Sequence, residues 1–169
     1  MYGAMPRTAR LDTPGLLHHV MIRGIERRKI FTDDVDREDF IERLSDLLPE
    51  TGTQCYAWSF LTNHAHFMFR SGSRCIPALM RRLLTGYAIF FNRRHMRHGQ
   101  VFQNRYKSVI CQEDRYFLEL VRYIHLNPLR ARIASDLEEL DRYSYCGRSA
   151  LMGRKKREWQ ETRYALGFL

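Results

Sequence analysis

Residues 61–69 read Leu61-Thr62-Asn63-His64-Ala65-His66-Phe67-Met68-Phe69. Two histidines stand two positions apart, with apolar or aromatic residues on both sides. A strand points residues i and i+2 to one face, so as a strand this stretch projects His64 and His66 together. Two imidazoles on one rigid strand can form half of a metal site. The same spacing also suits two half-buried histidines that bind nothing. Spacing leaves both readings open.

The flanking pattern supports the strand. Residues 54–61 are strand-like, with Tyr56, Trp58 and Phe60 expected on one face, and Thr62-Asn63 reads as the turn of a hairpin. His18-His19-Val20-Met21-Ile22-Arg23-Gly24 reads as an earlier short strand. Between them, Phe40, Ile41, Leu44, Leu47 and Leu48 mark one face of a helix over residues 33–48, which Pro49 and Gly52 are expected to end. A second helix is expected over residues 76–94, with Pro77 in its first turn. A further strand follows over 101–111, then a helix over 113–126 that Pro128 is expected to break.

The order is βαββαβ followed by α. It suits an α+β fold with an antiparallel sheet and two helices on one face, the ferredoxin-like or RRM-like arrangement. Residues 1–16 look like an irregular lead-in, 17–132 a single domain, and 133–169 an extension with a weak pattern. In that extension 141–147 reads as loop and 158–169 as a helix.

The charge is unevenly placed. The chain carries a formal +9, and residues 70–132 hold 13 basic and 3 acidic residues against 15 and 16 in the remainder. Concentrated positive charge implies a polyanionic partner; a solvated basic surface is the plainer alternative. No apolar run approaches the ~20 residues of a membrane span and no secretory leader is visible, so a cytoplasmic location and no membrane partner are expected. Cys55, Cys75, Cys111 and Cys146 form no C-x-x-C pair and are expected as reduced, mostly buried thiols.

In the third helix, Phe117, Leu120, Val121 and Ile124 make the core stripe. Tyr123 and Asn127 are four apart and share a face at the border of that stripe. A tyrosine there can pack its ring while its hydroxyl reaches a cleft. A tyrosine hydroxyl can attack phosphorus, and a divalent ion held by two histidines and a carboxamide oxygen could polarise the phosphate. Singly, each residue has an ordinary reading: a boundary tyrosine and a helix-end asparagine.

The combination is more specific. Asn63-His64-Ala65-His66, followed 57 residues after His66 by Tyr123-Ile124-His125-Leu126-Asn127-Pro128-Leu129-Arg130-Ala131, resembles the HUH single-tyrosine transposases of IS200-like type. It is most similar to the REP-associated branch, whose tyrosine motif reads Y-I-x-x-N-P-x-R-A. The resemblance covers roughly residues 14–150. It departs before Asn63, where Leu61-Thr62 stands in place of the usual methionine and proline. That alters turn rigidity and leaves both histidines.

The resemblance implies a ferredoxin-like core and cleavage of single-stranded DNA beside hairpin-forming palindromes. Tyr123 would be the nucleophile, giving a 5′-phosphotyrosine and a free 3′-OH. His64, His66 and Asn127 would hold Mg²⁺ or Mn²⁺, and no ATP is used. The expected partner is DNA, single-stranded and hairpin, and the working form is a monomer or homodimer. Arg105, Lys107, Arg130 and Arg132, with Arg93 and Arg94 at the end of the second helix, are the expected phosphate contacts. Two other classes compete: a non-catalytic RRM-like binder stacking bases on Tyr56, Trp58 and Phe60 or on Phe67 and Phe69, and a relaxase or replication-initiator nickase.

Overall fold

The computed structural model describes residues 12–111 and 113–168; most of the expected lead-in, residues 1–11, lies outside the described residues. Four strands, β1 (Leu17–Arg23), β2 (Gln54–Phe60), β3 (His64–Arg70) and β4 (Lys107–Cys111), form one sheet in the order β2-β3-β1-β4. All three pairings are antiparallel. Helices α1 (Asp34–Thr51), α2 (Ile76–Arg94) and α3 (Glu113–Arg130) account for most of the remainder, and α4 (Leu137–Arg142), α5 (Gly147–Leu151) and α6 (Arg163–Leu166) are short. The expected α+β class, antiparallel sheet and βαββαβ-α order are all present.

The sheet is covered on both faces. On one face Val20, Ile22, Trp58, Phe60, Ala65, Phe67 and Phe69 pack with Phe40, Ile41 and Leu44 of α1 and Leu79, Leu83 and Tyr87 of α2. On the other, Leu17, Ala57 and Met68 pack with Phe117, Val121 and Ile124 of α3. Burial of this apolar area is the main favourable term in forming the layers.

The helix ends differ from the proline reading. Pro49 lies inside α1 and Pro128 inside α3, each two residues before the helix ends. A proline this close to the C-terminus removes one amide bond and leaves little helix to disrupt. Each proline then serves as an acceptor. Pro49 O receives the N–H of Gly52 at 3.2 Å, and Pro128 O receives that of Ile133 at 2.8 Å. Gly52 closes α1 in the left-handed region at φ 66°, which its missing Cβ permits.

Two further expectations fail for local reasons. A register shift between Cys55 and Ala57 inserts one extra residue into β2, and such a bulge turns the following side chains to opposite faces. Tyr56 therefore joins the α3 side, while Trp58 and Phe60 stay with α1 and α2. The strand expected over 101–111 is regular only from Lys107, because 101–106 curves away with Asn104 in the left-handed region at φ 52°. Among the cysteines, all free, Cys55 and Cys146 are buried but Cys75 is exposed.

The extension beyond residue 132 departs from its pattern as well. The expected loop over 141–147 includes the end of α4 and the start of α5, and among the described residues of the expected last helix only Arg163–Leu166 is α-helical. The rest of the segment runs along the outer edge of β2. Phe60 N–H donates to Tyr145 O at 2.9 Å, and Glu161 N–H donates to Cys55 O at 2.8 Å. Trp58 Nε1 donates to Gln160 Oε1 at 2.8 Å. Among the described residues no helix is long and apolar enough to cross a membrane.

One ion cluster ties α2 to the start of α1. Asp36 is fully buried and accepts from Thr32 N at 2.8 Å, Arg94 Nη1 at 2.8 Å and His95 Nε2 at 3.0 Å. Arg94 also pairs with Asp33 at 2.6 Å. Burial works to raise the Asp36 carboxyl, and the bonds from Thr32, His95 and Arg94 outweigh it and hold the acid low. Removing one member of a buried pair strands the other. Asp36→Ala is expected to cost about 3 kcal/mol in denaturant unfolding, with Thr32 and His95 left without their acceptor and Arg94 held by Asp33 alone.

His125 faces away from the sheet's histidines and is buried beside Gly147, where an added Cβ would stand 2.6 Å from Nε2. That nitrogen has no hydrogen-bond partner. Burial, with the nearby Arg148 charge, pushes its pKa down to about 3. Unfolding frees the ring to take up a proton at its ordinary value near 6.5, so stability is complete above that value and is lost as pH falls toward 3. Melting measured between pH 7 and 4 should show this loss, at up to about 1.4 kcal/mol per pH unit, and His125→Gln should reduce the slope.

Candidate active site on the helix-covered side of the sheet

Strand alternation sets the site. With Ala65, Phe67 and Phe69 locked in the α1–α2 core, His64, His66 and Met68 must face α3. The register with β1 places Arg23 opposite His64, Met21 opposite His66 and His19 opposite Met68. Three imidazoles thus share one patch. His64 and His66 lie 5.2 Å apart between ring centroids, and His19 and His66 stack at 5.3 Å.

The tyrosine reaches the same patch from α3. The ring of Tyr123 meets His66 edge-on at 5.9 Å and His19 at 6.0 Å. The Arg130 guanidinium lies over the Tyr123 ring, 4.9 Å from its centre, a cation–π placement. Tyr123 is 41% exposed, half packed and half open. Because α3 continues through Pro128, Asn127 remains helical, one turn on from Tyr123. It is buried, and its Nδ2 has no hydrogen-bond partner.

The imidazoles are kept neutral. Burial, followed by the charges of His19, His64 and Arg23, lowers His66 to about 3. Burial and then Arg23 lower His64, and burial lowers His19. A neutral imidazole has the lone pair that a metal needs. At His64 the second nitrogen is already engaged: Nδ1 lies 2.7 Å from Asn63 Oδ1, the outer-shell contact that orients a ligand histidine. The donor set therefore fits a divalent cation: two neutral imidazoles, with the carboxamide oxygen of Asn127, whose buried amide nitrogen has no partner, as the candidate third donor. Among the described residues no group of three or more His, Cys, Asp or Glu is placed to hold a metal ion.

The expected phosphate contacts divide by layer. Arg130 and Arg132 follow Tyr123 on α3 and its closing turn, with Arg132 at φ 58°. Lys107 pairs with Met21, the neighbour of His66, in the sheet. Arg105 lines a cavity of about 450 Å³ with Arg81, Leu84 and Tyr106. Arg93 and Arg94 end α2, in the layer on the far side of the sheet, and the guanidinium of Arg94 is taken up by Asp33 and Asp36. The aromatic residues that a base-stacking sheet would need are covered: Trp58, Phe60, Phe67 and Phe69 are 0% exposed and Tyr56 is 3%. His19 and Arg23 are the two site residues the sequence did not single out. The alternation of 18–24 puts them on one face, but only the register with β3 brings that face to the histidines.

Comparison with known proteins places this arrangement. Among solved structures, a REP-associated tyrosine transposase bound to a REP hairpin superposes with a TM-score of 0.70, at 12% identity, over 93% of this chain and 98% of the other. The fold is therefore shared. A candidate transposase from Deinococcus radiodurans R1 covers 82% of this chain and 98% of its own at 14% identity, with a TM-score of 0.47, too low a likeness to bear on the fold. Among curated proteins none matches the chain in sequence. Residues 13–127, which include the histidine pair, Tyr123 and Asn127, match the family described as Transposase IS200 like. With well over half of its length inside that match, the chain belongs to the IS200-like transposases, enzymes of DNA transposition.

Proposed function

We propose that the chain cuts and rejoins single-stranded DNA beside a hairpin through a covalent link to Tyr123. The observation that carries this reading is the contact between Tyr123 and His66 at 5.9 Å. It joins a nucleophile from one element to an imidazole pair from another. The REP-associated relative with this fold is bound to a REP hairpin, and that supports a hairpin-flanked substrate here.

In this reading His64, His66 and Asn127 would hold one Mg²⁺ or Mn²⁺, which would supply Lewis-acid polarisation of the scissile phosphate. Tyr123 attacks phosphorus through its phenolic oxygen and gives up its proton. The phosphorus–O3′ bond breaks, leaving a 5′-phosphotyrosine and a free 3′-OH. A 3′-OH then attacks the same phosphorus and returns tyrosine, restoring the phosphodiester. One ester replaces another at each step, so no ATP is needed. Arg130 holds the tyrosine ring through its cation–π contact. Arg23, opposite His64 and without an ion pair among the described residues, joins Lys107, Arg130 and Arg132 as a phosphate contact. Such contacts anchor the backbone with little regard to base sequence. In this reading nucleophile and histidines are supplied by one chain.

Incubation with Mn²⁺ and labelled single-stranded DNA carrying a palindrome next to the cleavage site tests the nucleophile. The parent protein should give a covalent protein–DNA band, and Tyr123→Phe should give none while still binding DNA. A band from Tyr123→Phe removes the assignment. In a Mn²⁺ titration the double variant His64→Ala, His66→Ala should lose binding, and unchanged affinity would remove the metal site.

A further inference from the structure

The reading above leaves one imidazole of the patch without a role. His19 Nε2 lies 3.0 Å from Nδ1 of His66. The rings stack at 5.3 Å with 23° between planes, and the other contact of His19 is the edge of Tyr123 at 6.0 Å.

A hydrogen bond between two neutral imidazoles uses one proton, so one ring donates and the other accepts. The choice decides what His66 can do. If His19 donates from Nε2, His66 accepts at Nδ1, keeps its own proton on Nε2, and has no lone pair for a cation. If His19 accepts at Nε2, His66 carries its proton on Nδ1 and Nε2 is bare. At His64 an amide settles the same question. Asn63 Nδ2 donates to the Arg27 carbonyl at 3.3 Å, which turns Oδ1 toward His64 Nδ1 at 2.7 Å. An amide oxygen can only accept, so His64 Nδ1 donates and its Nε2 is bare.

We infer that His19 is a positioning residue that does for His66 what Asn63 does for His64: it accepts the Nδ1 proton, fixes the ring plane, and leaves Nε2 free for the cation. Its own Nε2 is taken up by His66, so it is not a third ligand. Its second contact seats the Tyr123 ring, and one side chain thereby sets the spacing between nucleophile and metal ligand. The inference rests on the metal reading of His64 and His66.

Two measurements on the full chain test it. Long-range ¹H–¹⁵N NMR of the metal-free protein with labelled histidines reads tautomers directly. Both His66 and His19 should carry their proton on Nδ1; a proton on Nε2 of His66 overturns the inference, whatever the variants do. In a Mn²⁺ titration His19→Leu should weaken binding about 10–100-fold, the usual effect of losing an outer-shell partner. His19→Gln, whose Oε1 can accept the same proton, should retain most of the affinity. A His19→Leu protein that melts like the parent and binds Mn²⁺ equally well also overturns it. Should His19→Leu fail to fold, the tautomers and His19→Gln decide. Mn²⁺ binding that survives loss of both His64 and His66 sinks the metal reading and this inference together, whereas normal binding with the wrong tautomer sinks only the role of His19.

Discussion

The period-two alternation of β3 is the constraint on which the rest depends. One strand serves two cores. Phe67 and Phe69 are fully buried against α1 and α2, and their intermediate neighbours have no choice but the other face. A slip of one residue would drive the imidazoles in among Phe40, Phe60 and Tyr87 and force the two phenylalanines into the α3 side, where His66 and Met68 now fit. The histidines are therefore held by aromatic packing that they do not themselves touch. The antiparallel register then carries His19 and Arg23 to the same patch from β1.

The second half of the site depends on a different kind of packing. Helix α3 is fixed by Phe117, Val121 and Ile124 on Leu17, Ala57 and Met68, and Tyr123 stands at the margin of that contact. A residue inside the stripe would be sealed, and one opposite it would miss the sheet. The margin allows a ring packed on two imidazoles to remain 41% exposed. The charge excess of residues 70–132 is also narrower in use than its total suggests. Arg94 is spent on holding α2 to α1, whereas Arg130 and Arg132 extend from the helix that carries the tyrosine.

Much of this was readable from residues. The bounds of α2 follow from Pro77 at one end and the basic cluster at the other, and β3 follows from alternation with no breaker inside it. The tyrosine and asparagine were legible because helical spacing is local. What was hidden is what depends on partners. The bulge beside Tyr56 has no glycine to mark it, and it is set by how β2 meets β3. Pro49 and Pro128 look like terminators because sequence shows the lost donor and not the carbonyl that captures the next amides. His19 reads as one of two adjacent histidines on a strand. Its contact with His66 is diagonal across a pairing between residues 47 apart, which no local rule supplies.

The covering of β2 by the segment after residue 143 explains a further contrast. Part of the contact is main-chain: Phe60 to Tyr145, Cys55 to Glu161. The rest belongs to particular side chains: Trp159 packs on Trp58, Tyr145 on Phe60 and Tyr164 on Tyr56, and Gln160 accepts the Trp58 N–H. Each of these residues finds its partner on a strand far earlier in the sequence, so none of them falls into a helical or strand period of its own. The weakest signal in the chain thus belongs to a cover whose partners are all distant: it finishes an edge that would otherwise offer unpaired backbone to any passing strand.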